Sequence, residues 1–137
     1  MTSQPEGNIL VVDDQENWRM ALQRLLEGRY NVQTVSSYEQ AEQAILASSF
    51  DIVVLDVRLV DKDVFNVAGL ALLDKIKKHK PNTGVVILTG YPDSVSGEIV
   101  QQYGADAFVF KAPESGKFDL SGFRSLIHDL AVKYKSQ

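Results

Sequence analysis

Short apolar runs alternate along the chain with stretches in which apolar residues recur every three or four positions. The apolar runs predict five strands, over residues 9–12, 30–35, 52–55, 85–88 and 107–110. The helical spacing predicts five helices, over residues 18–27, 37–45, 70–76, 95–103 and 123–134. A capping-box pattern of Ser37 with Gln40 opens the second helix, and Gly104 closes the fourth. Each predicted strand is therefore followed by a predicted helix.

Five strand-helix units whose strands are apolar on both faces predict a parallel sheet with helices on both sides. The fold class is accordingly α/β, a doubly wound five-stranded parallel sheet within a three-layer sandwich. We expect strand order 2-1-3-4-5, in which the first and third strands flank the switch point where such sheets bind ligands. Neither a linker nor an internal repeat divides the sequence, so we expect one domain over residues 1–137 with a core at about 8–135.

Polar residues follow four of the five strands directly. Asp13 and Asp14 follow the first, Asp56 the third, Thr89 the fourth and Lys111 the fifth. Each has an ordinary structural explanation when taken alone, such as a helix cap for Asp14 or a surface position for Lys111. Because the carboxyl ends of parallel strands meet at one edge, their joint placement favours a shared site.

Composition narrows the classes of function. A net charge of −4 argues against a nucleic-acid surface, and the absence of cysteine excludes a disulfide scaffold. The one basic cluster, at residues 75–80, lies where a helix should end, and cations are favoured there by the helix dipole. No apolar run is long enough to span a membrane and the amino terminus has no signal-peptide pattern, so we expect a cytoplasmic protein without membrane contact.

Four segments together carry a family resemblance. In order and spacing, ILVVDDQ, DIVVLDVRL, VVILTGY and AFVFKAP resemble the receiver domain of bacterial two-component response regulators, from about residue 8 to the last helix. The resemblance implies a flavodoxin-like phosphoacceptor. Asp56 would take a phosphoryl group from a histidine kinase or a histidine phosphotransfer protein. The downstream partner or output domain is left undefined, and both a stand-alone regulator and a piece of a longer protein remain open.

The resemblance also implies a metal ion. Asp13, Asp14 and Asp56, with the backbone carbonyl of Arg58, match the positions at which receivers hold Mg²⁺. The physical need is clear, because clustered carboxylates repel one another and Mg²⁺ prefers hard oxygen ligands. Trp18 lies on the apolar stripe of the first helix and is expected in the core, near enough to the acidic site for its fluorescence to report ion binding.

Lys111 and Thr89 match the remaining reactive positions. By resemblance Lys111 pairs with phosphoryl oxygens, while Thr89 donates its hydroxyl and moves toward the phosphoryl group. Phe108 matches the aromatic position that turns inward as the Thr moves and remodels the face of helix four, strand five and helix five. Receivers catalyse their own Mg²⁺-dependent phosphorylation and slow dephosphorylation without being conventional enzymes, and family habit also allows a homodimer through this face.

The sequence departs from the family pattern in two places. Val60 stands where receivers usually have Pro, and the next glycine, Gly69, comes about five residues late. Ala112 intervenes between Lys111 and Pro113, where receivers usually have Pro directly. These departures keep an alternative open, a receiver-like interaction module that is no longer phosphorylated. Magnesium dependence separates the two.

Overall fold

The computed structural model describes residues 5–57, 67–90, 104–111 and 117–135, with the backbone alone for 67 and 68. The strands are β1 (Asn8–Val12), β2 (Asn31–Val35), β3 (Ile52–Asp56), β4 (Gly84–Thr89) and β5 (Ala107–Phe110). The helices are α1 (Glu16–Leu26), α2 (Tyr38–Ala47), α3 (Val67–His79) and α4 (Leu120–Lys135). All five predicted strands are confirmed. The helix predicted over residues 95–103 lies outside the described residues, so α4 corresponds to the fifth predicted helix.

The five strands form one parallel sheet in the order β2-β1-β3-β4-β5, as predicted. Val12 at the end of β1 pairs with Val35 of β2 and with Leu55 of β3. Asp56 pairs with Leu88, and Thr89 pairs with Phe110 of β5. Because the strands are parallel and in register, their carboxyl ends lie at one edge of the sheet. β2 lies on the outer side of β1, whereas β4 and β5 lie beyond β3 on the opposite side. The strand order therefore reverses at the β1–β3 pair, which is the switch point.

Helices pack on both faces of the sheet, so the described residues form three layers. Leu10 and Val12 face α2 and α3 in one apolar cluster, whereas Ile9 and Val11 face α1 and α4 in the other. This alternation follows from the two-residue period of a strand, and it explains why the central strands are apolar without interruption. None of the described helices is long and apolar enough to cross a membrane.

The start of α2 confirms one half of the predicted capping box. Ser37 is the N-cap, and its hydroxyl accepts a hydrogen bond of 3.1 Å from the Gln40 amide. The return bond is different, because the Gln40 side-chain oxygen accepts from the amide of Ser36 at 2.9 Å rather than from that of Ser37. The first residue of α2, Tyr38, is thereby fixed at a defined position.

A partly buried polar network joins α3, β4, β5 and α4 at the amino-terminal edge of the sheet. Asp106 accepts hydrogen bonds from Lys77 at 2.9 Å, from the Val85 amide at 2.8 Å, and from the hydroxyl of Tyr134. A Cβ at Gly84 would lie 2.8 Å from the Tyr134 ring, so only glycine admits this contact. Lys77, part of the predicted basic cluster, is thus a structural partner of a carboxylate.

Close packing around Lys77 also explains the glycine before β5. Gly104 has a φ of 91°, a left-handed conformation that agrees with the predicted helix cap at this residue. A Cβ there would lie 3.2 Å from Cγ of Lys77, which leaves little room for a larger residue. Two other lysines of the cluster pair with carboxylates, Lys75 with Glu42 and Lys78 with Asp74.

We expect Asp106→Asn to lower the free energy of unfolding by about 1–3 kcal/mol at pH 7, since it removes charge-assisted hydrogen bonds. Burial raises the pKa of Asp106, but the hydrogen bonds from Tyr134, Lys77 and the Val85 amide outweigh burial and lower the pKa overall. The carboxylate therefore stabilises the fold above its unfolded pKa of about 3.9 and loses that effect as the pH falls through the folded pKa.

Urea denaturation of both proteins at pH 7 and at about pH 3.5 measures this contribution. The difference in stability should be large at pH 7 and should narrow at the lower pH. Asp129→Asn, an exposed aspartate of α4, is the control and should change stability by less than about 0.5 kcal/mol. A difference that does not depend on pH would contradict this account of Asp106.

Candidate functional site

Three carboxylates converge at the carboxyl edge of the sheet. Asp13 and Asp14 follow β1, and Asp56 is the last residue of the neighbouring strand β3. One carboxylate oxygen from each lies within 4.8 Å of the others. Asp13 and Asp56 are 2% and 4% exposed, whereas Asp14 is exposed. The structure therefore brings these three predicted residues together.

Asp14 does not act as the helix cap that its position allows. The N-cap of α1 is Gln15, and its side chain makes no capping hydrogen bond. The Gln15 amide instead donates a 2.9 Å bond to Oδ1 of Asp13. Asp13 is thus oriented by the start of α1.

The ammonium of Lys111 lies between the two buried carboxylates. Its Nζ is 2.7 Å from Oδ2 of Asp13 and 3.4 Å from Oδ1 of Asp56, and the residue is only 8% exposed. The Lys111 amide bonds the Thr89 carbonyl at 2.7 Å, which fixes the backbone directly after β5. Lys111 therefore lies in the site without the directly following proline that is usual in receivers. The bond from Lys111 to Ala112 lies outside the described residues.

The N-cap of α1 and one residue within α1 contact the same ammonium, and the N-cap, Gln15, was not singled out from the sequence. Gln15 accepts a 3.2 Å hydrogen bond from Lys111, and the Lys111 Nζ lies 5.0 Å from the centroid of the Trp18 ring. Trp18 also packs edge-on against Phe118, with ring centroids 5.1 Å apart. The core position predicted for Trp18 is correct in part. Trp18 lies three residues after Gln15, so both side chains fall on one face of the helix. This spacing is the sequence signal that both contact the Lys111 ammonium.

Two further residues contact the backbone of the site and were missed. Arg19 donates a 2.7 Å hydrogen bond to the Asp13 carbonyl, and the Tyr38 hydroxyl donates a 2.7 Å bond to the Asp56 carbonyl. Both targets are main-chain atoms. Nothing in the residue pattern shows which side chains reach a main-chain oxygen, so only the structure reveals these contacts.

The predicted switch residues lie on the two strands beyond β3. Thr89 ends β4 and is fully buried, one residue after the partner of Asp56 in the strand register. Phe108 of β5 is partly buried against the cluster of α2 and α3, with its ring 4.9 Å from that of Phe110 in an edge-on contact. Arg58, the predicted source of a backbone ligand, lies outside the described residues.

The electrostatics of the site favour a bound cation. Burial and the charge of Asp13 raise the pKa of Asp56 to about 6, although Lys111 opposes the shift. Among the described residues the cluster holds three carboxylates and the Lys111 ammonium, so in ionised form these four side chains carry a net charge of −2. Hard carboxylate oxygens at this spacing fit a small divalent cation, which would neutralise that charge.

The order of these residues and their geometry agree with one known family. The response regulator receiver domain matches residues 9–119 of the chain. The chain belongs to this family. A receiver acts as a phosphoacceptor in two-component signalling, and its acidic pocket is the family's ion site. Membership also implies a phosphodonor kinase as a partner in general terms.

Transcriptional regulatory proteins are among the relatives that the chain resembles. The transcriptional regulatory protein ZraR of Escherichia coli (strain K12) is 32% identical over 126 residues, which are 91% of this chain and 27% of ZraR. The chain thus spans about a quarter of the length of such relatives.

Solved structures share the fold. A CheY-like receiver domain protein from Methanospirillum hungatei JF-1 has a TM-score of 0.78 at 23% identity, over 98% of both chains. The response regulator TrrA of Thermotoga maritima, solved in complex with Mg²⁺-BeF, has a TM-score of 0.71 at 27% identity over 90% of this receiver and 97% of TrrA.

We expect Asp56→Asn to stabilise the receiver in the absence of divalent cations. The folded pKa of about 6 lies above the unfolded value of about 3.9, so stability falls as the pH rises between these values. Removing the charge should raise the free energy of unfolding by about 1–3 kcal/mol at pH 7.5, and the gain should vanish near pH 4. Urea denaturation in EDTA measures both values.

Asp129→Asn again controls for the loss of an exposed charge. Lower stability of Asp56→Asn at pH 7.5 would show that the ion pair with Lys111 outweighs the cost of burial, against this prediction.

Proposed function

We propose that Asp56 is the phosphoacceptor of this receiver. The observation that carries the proposal is the buried Asp56 carboxylate, with an ammonium 3.4 Å away and two further carboxylates within 4.8 Å. A carboxylate oxygen attacks the phosphorus of a phosphohistidine on a histidine kinase or histidine phosphotransfer protein. A P–O bond forms as the P–N bond breaks, and the product is an acyl phosphate.

Mg²⁺ is the ion that fits this site best. Asp13, Asp14 and Asp56 offer carboxylate oxygens, and the Arg58 carbonyl is the fourth proposed ligand. The ion supplies positive charge that neutralises the carboxylates and the phosphoryl oxygens during transfer. Support comes from the chemistry of the oxygen donors and from the related TrrA, which was solved with Mg²⁺-BeF.

Lys111 and Thr89 complete the proposed machinery. Lys111 is already placed beside Asp56, and its charge stabilises phosphoryl oxygens as the transfer proceeds. Thr89, which ends the neighbouring strand, donates its hydroxyl to the phosphoryl group and transmits the change to Phe108 of β5. The reaction is self-catalysed, with slow loss of the phosphoryl group, so the receiver is not a conventional enzyme.

The downstream consequence belongs to the surface around β5. Phe108 and Phe110 line a cleft of about 440 Å³. Its other wall includes Phe118, just before α4, and Leu126 within α4. We place the output response at this face, where a second receiver or a further protein would read the change. The curated relatives are about four times as long as the matched segment, and this domain by itself does not identify the output partner. A cytoplasmic location fits this signalling role.

Intact mass after incubation with acetyl phosphate tests the proposal. We expect the natural protein to gain one phosphoryl group with Mg²⁺ and none with EDTA. Asp56→Asn should gain none under either condition, because it lacks the nucleophile. Lys111→Met, which keeps the aliphatic volume and removes the charge, should slow the gain by about 10²–10³-fold.

Asp51→Asn controls for the removal of an aspartate at the opposite edge of the sheet, and it should be phosphorylated like the natural protein. No gain of mass by the natural protein under any condition would favour the silent interaction module. Equal gain by Asp56→Asn would place the phosphoryl group elsewhere.

Trp18 provides a direct measure of ion binding. It is the single tryptophan of the chain, and the Lys111 ammonium lies over its ring. An ion held by Asp13 changes the charge next to Lys111, so Trp18 fluorescence should change saturably with added Mg²⁺. Asp13→Asn should weaken the response by at least about tenfold in midpoint concentration, since it removes a charged ligand. An unaltered spectrum up to tens of millimolar Mg²⁺ would contradict the metal site.

A further inference from the structure

The Tyr38 hydroxyl contacts the main chain of the proposed phosphoacceptor. Tyr38 is the first residue of α2, and its hydroxyl donates a 2.7 Å hydrogen bond to the backbone carbonyl of Asp56. The two residues are 18 positions apart in the sequence. A helix on one face of the sheet is therefore tied to the last residue of the central strand, directly at the reactive carboxylate.

The Asp56 carbonyl lies where the pairing of β1 with β3 ends. The Val57 amide bonds the Leu88 carbonyl of β4 at 3.0 Å. Backbone groups of consecutive strand residues point to opposite neighbours, so the Asp56 carbonyl points toward β1. The β1–β3 register ends at the pair of Val12 and Leu55. The Tyr38 hydroxyl thus donates to a carbonyl just past the last β1–β3 pair, at the carboxyl end of the central strand.

Tyr38 is held in place from two sides. Its own helix begins with the Ser37 cap, which fixes the backbone from which the ring projects. On the other side lies Gly69 of α3, where a Cβ would be 3.0 Å from the Tyr38 hydroxyl oxygen and 3.3 Å from Cζ. The hydroxyl therefore occupies a space that glycine leaves open. This close approach gives Gly69 a part in positioning Tyr38.

We propose that Tyr38 is a positioning residue, whose hydrogen bond to the Asp56 carbonyl holds the end of β3 so that the Asp56 carboxylate meets the ion and Lys111. The inference rests on the proposed function and adds α2 to the elements that define the reactive site. The Asp56 side chain and carbonyl branch from one Cα, so a shift of this peptide moves the carboxylate as well. The carbonyl proposed as the fourth ligand, that of Arg58, lies only two residues along the same backbone.

Tyr38→Phe tests the inference with the smallest change, since it keeps the ring and removes the donor. We expect the maximum rate of phosphorylation by acetyl phosphate to fall about threefold to tenfold, the equivalent of one neutral hydrogen bond. The acetyl phosphate concentration at half-maximal rate should stay unchanged, because Tyr38 does not touch the donor. The Mg²⁺ midpoint from Trp18 fluorescence should rise by a similar factor.

Tyr30→Phe is the matched control. Tyr30 is more fully buried than Tyr38, and its hydroxyl lies 3.4 Å from Nδ1 of His128 on the other face of the sheet. This variant should lose stability to urea about as much as Tyr38→Phe while its phosphorylation rate and Mg²⁺ midpoint stay unchanged. The ¹³C shift of the Asp56 carbonyl should move in Tyr38→Phe and not in Tyr30→Phe, which reads the hydrogen bond directly.

Gly69→Ala provides a second route if Tyr38→Phe folds poorly. Alanine favours the helix relative to glycine, yet its Cβ crowds the Tyr38 hydroxyl. We expect a slower maximum rate and a higher Mg²⁺ midpoint in a protein that remains folded. Such a result separates site geometry from loss of stability.

Three results would overturn the inference. The first is a Tyr38→Phe protein with the natural phosphorylation rate and Mg²⁺ midpoint. The second is an equal loss in Tyr30→Phe, which would indicate general destabilisation. The third is a natural protein that neither gains a phosphoryl group nor binds Mg²⁺. If the natural protein binds Mg²⁺ without phosphorylation, the proposed function fails by itself, and a raised midpoint in Tyr38→Phe would still support the positioning role.

Discussion

Repulsion between two buried carboxylates is the constraint on which the reactive edge depends. Asp13 and Asp56 are almost fully enclosed, and within the described residues both carboxylates approach the ammonium of Lys111. The strand order brings the two carboxylates together, because β1 and β3 are neighbours that end at the same edge of the sheet. Around that contact the protein arranges rigid supports. Gln15 and Trp18 contact the ammonium, while Tyr38 bonds the backbone carbonyl of Asp56, the proposed phosphoacceptor.

The environment of a partly or fully buried aspartate differs between the two edges of the sheet. At the amino-terminal edge, three donors converge on Asp106, and its pKa is lowered despite burial. At the carboxyl edge, burial and a neighbouring negative charge raise the pKa of Asp56. The first arrangement satisfies its charge internally and stabilises the fold. The second leaves the described side chains with more negative than positive charge, which suits the acidic, ion-binding pocket of receiver domains.

Much of the fold and most of the site follow from the sequence, for one geometric reason. Apolar runs identify strands, and parallel strands collect whatever follows them at one edge, so Asp13, Asp56, Thr89 and Lys111 were predictable as neighbours. Side-chain bonds to main-chain oxygens were not predictable. Tyr38 bonds a carbonyl of another element, and the return bond of the α2 cap comes from Ser36. Both contacts depend on how the helices pack on the sheet.

The two outer strands have a consequence for how molecules of this protein meet one another. β2 and β5 are five and four residues long, and each pairs with one neighbour in the described sheet. A row of unpaired amides and carbonyls on an outer strand is a template to which a foreign strand can add. On β5 this row is short and ends at Lys111. On β2 the exposed residues Asn31 and Gln33 lie along it. The sheet thus offers little backbone for fibrous growth.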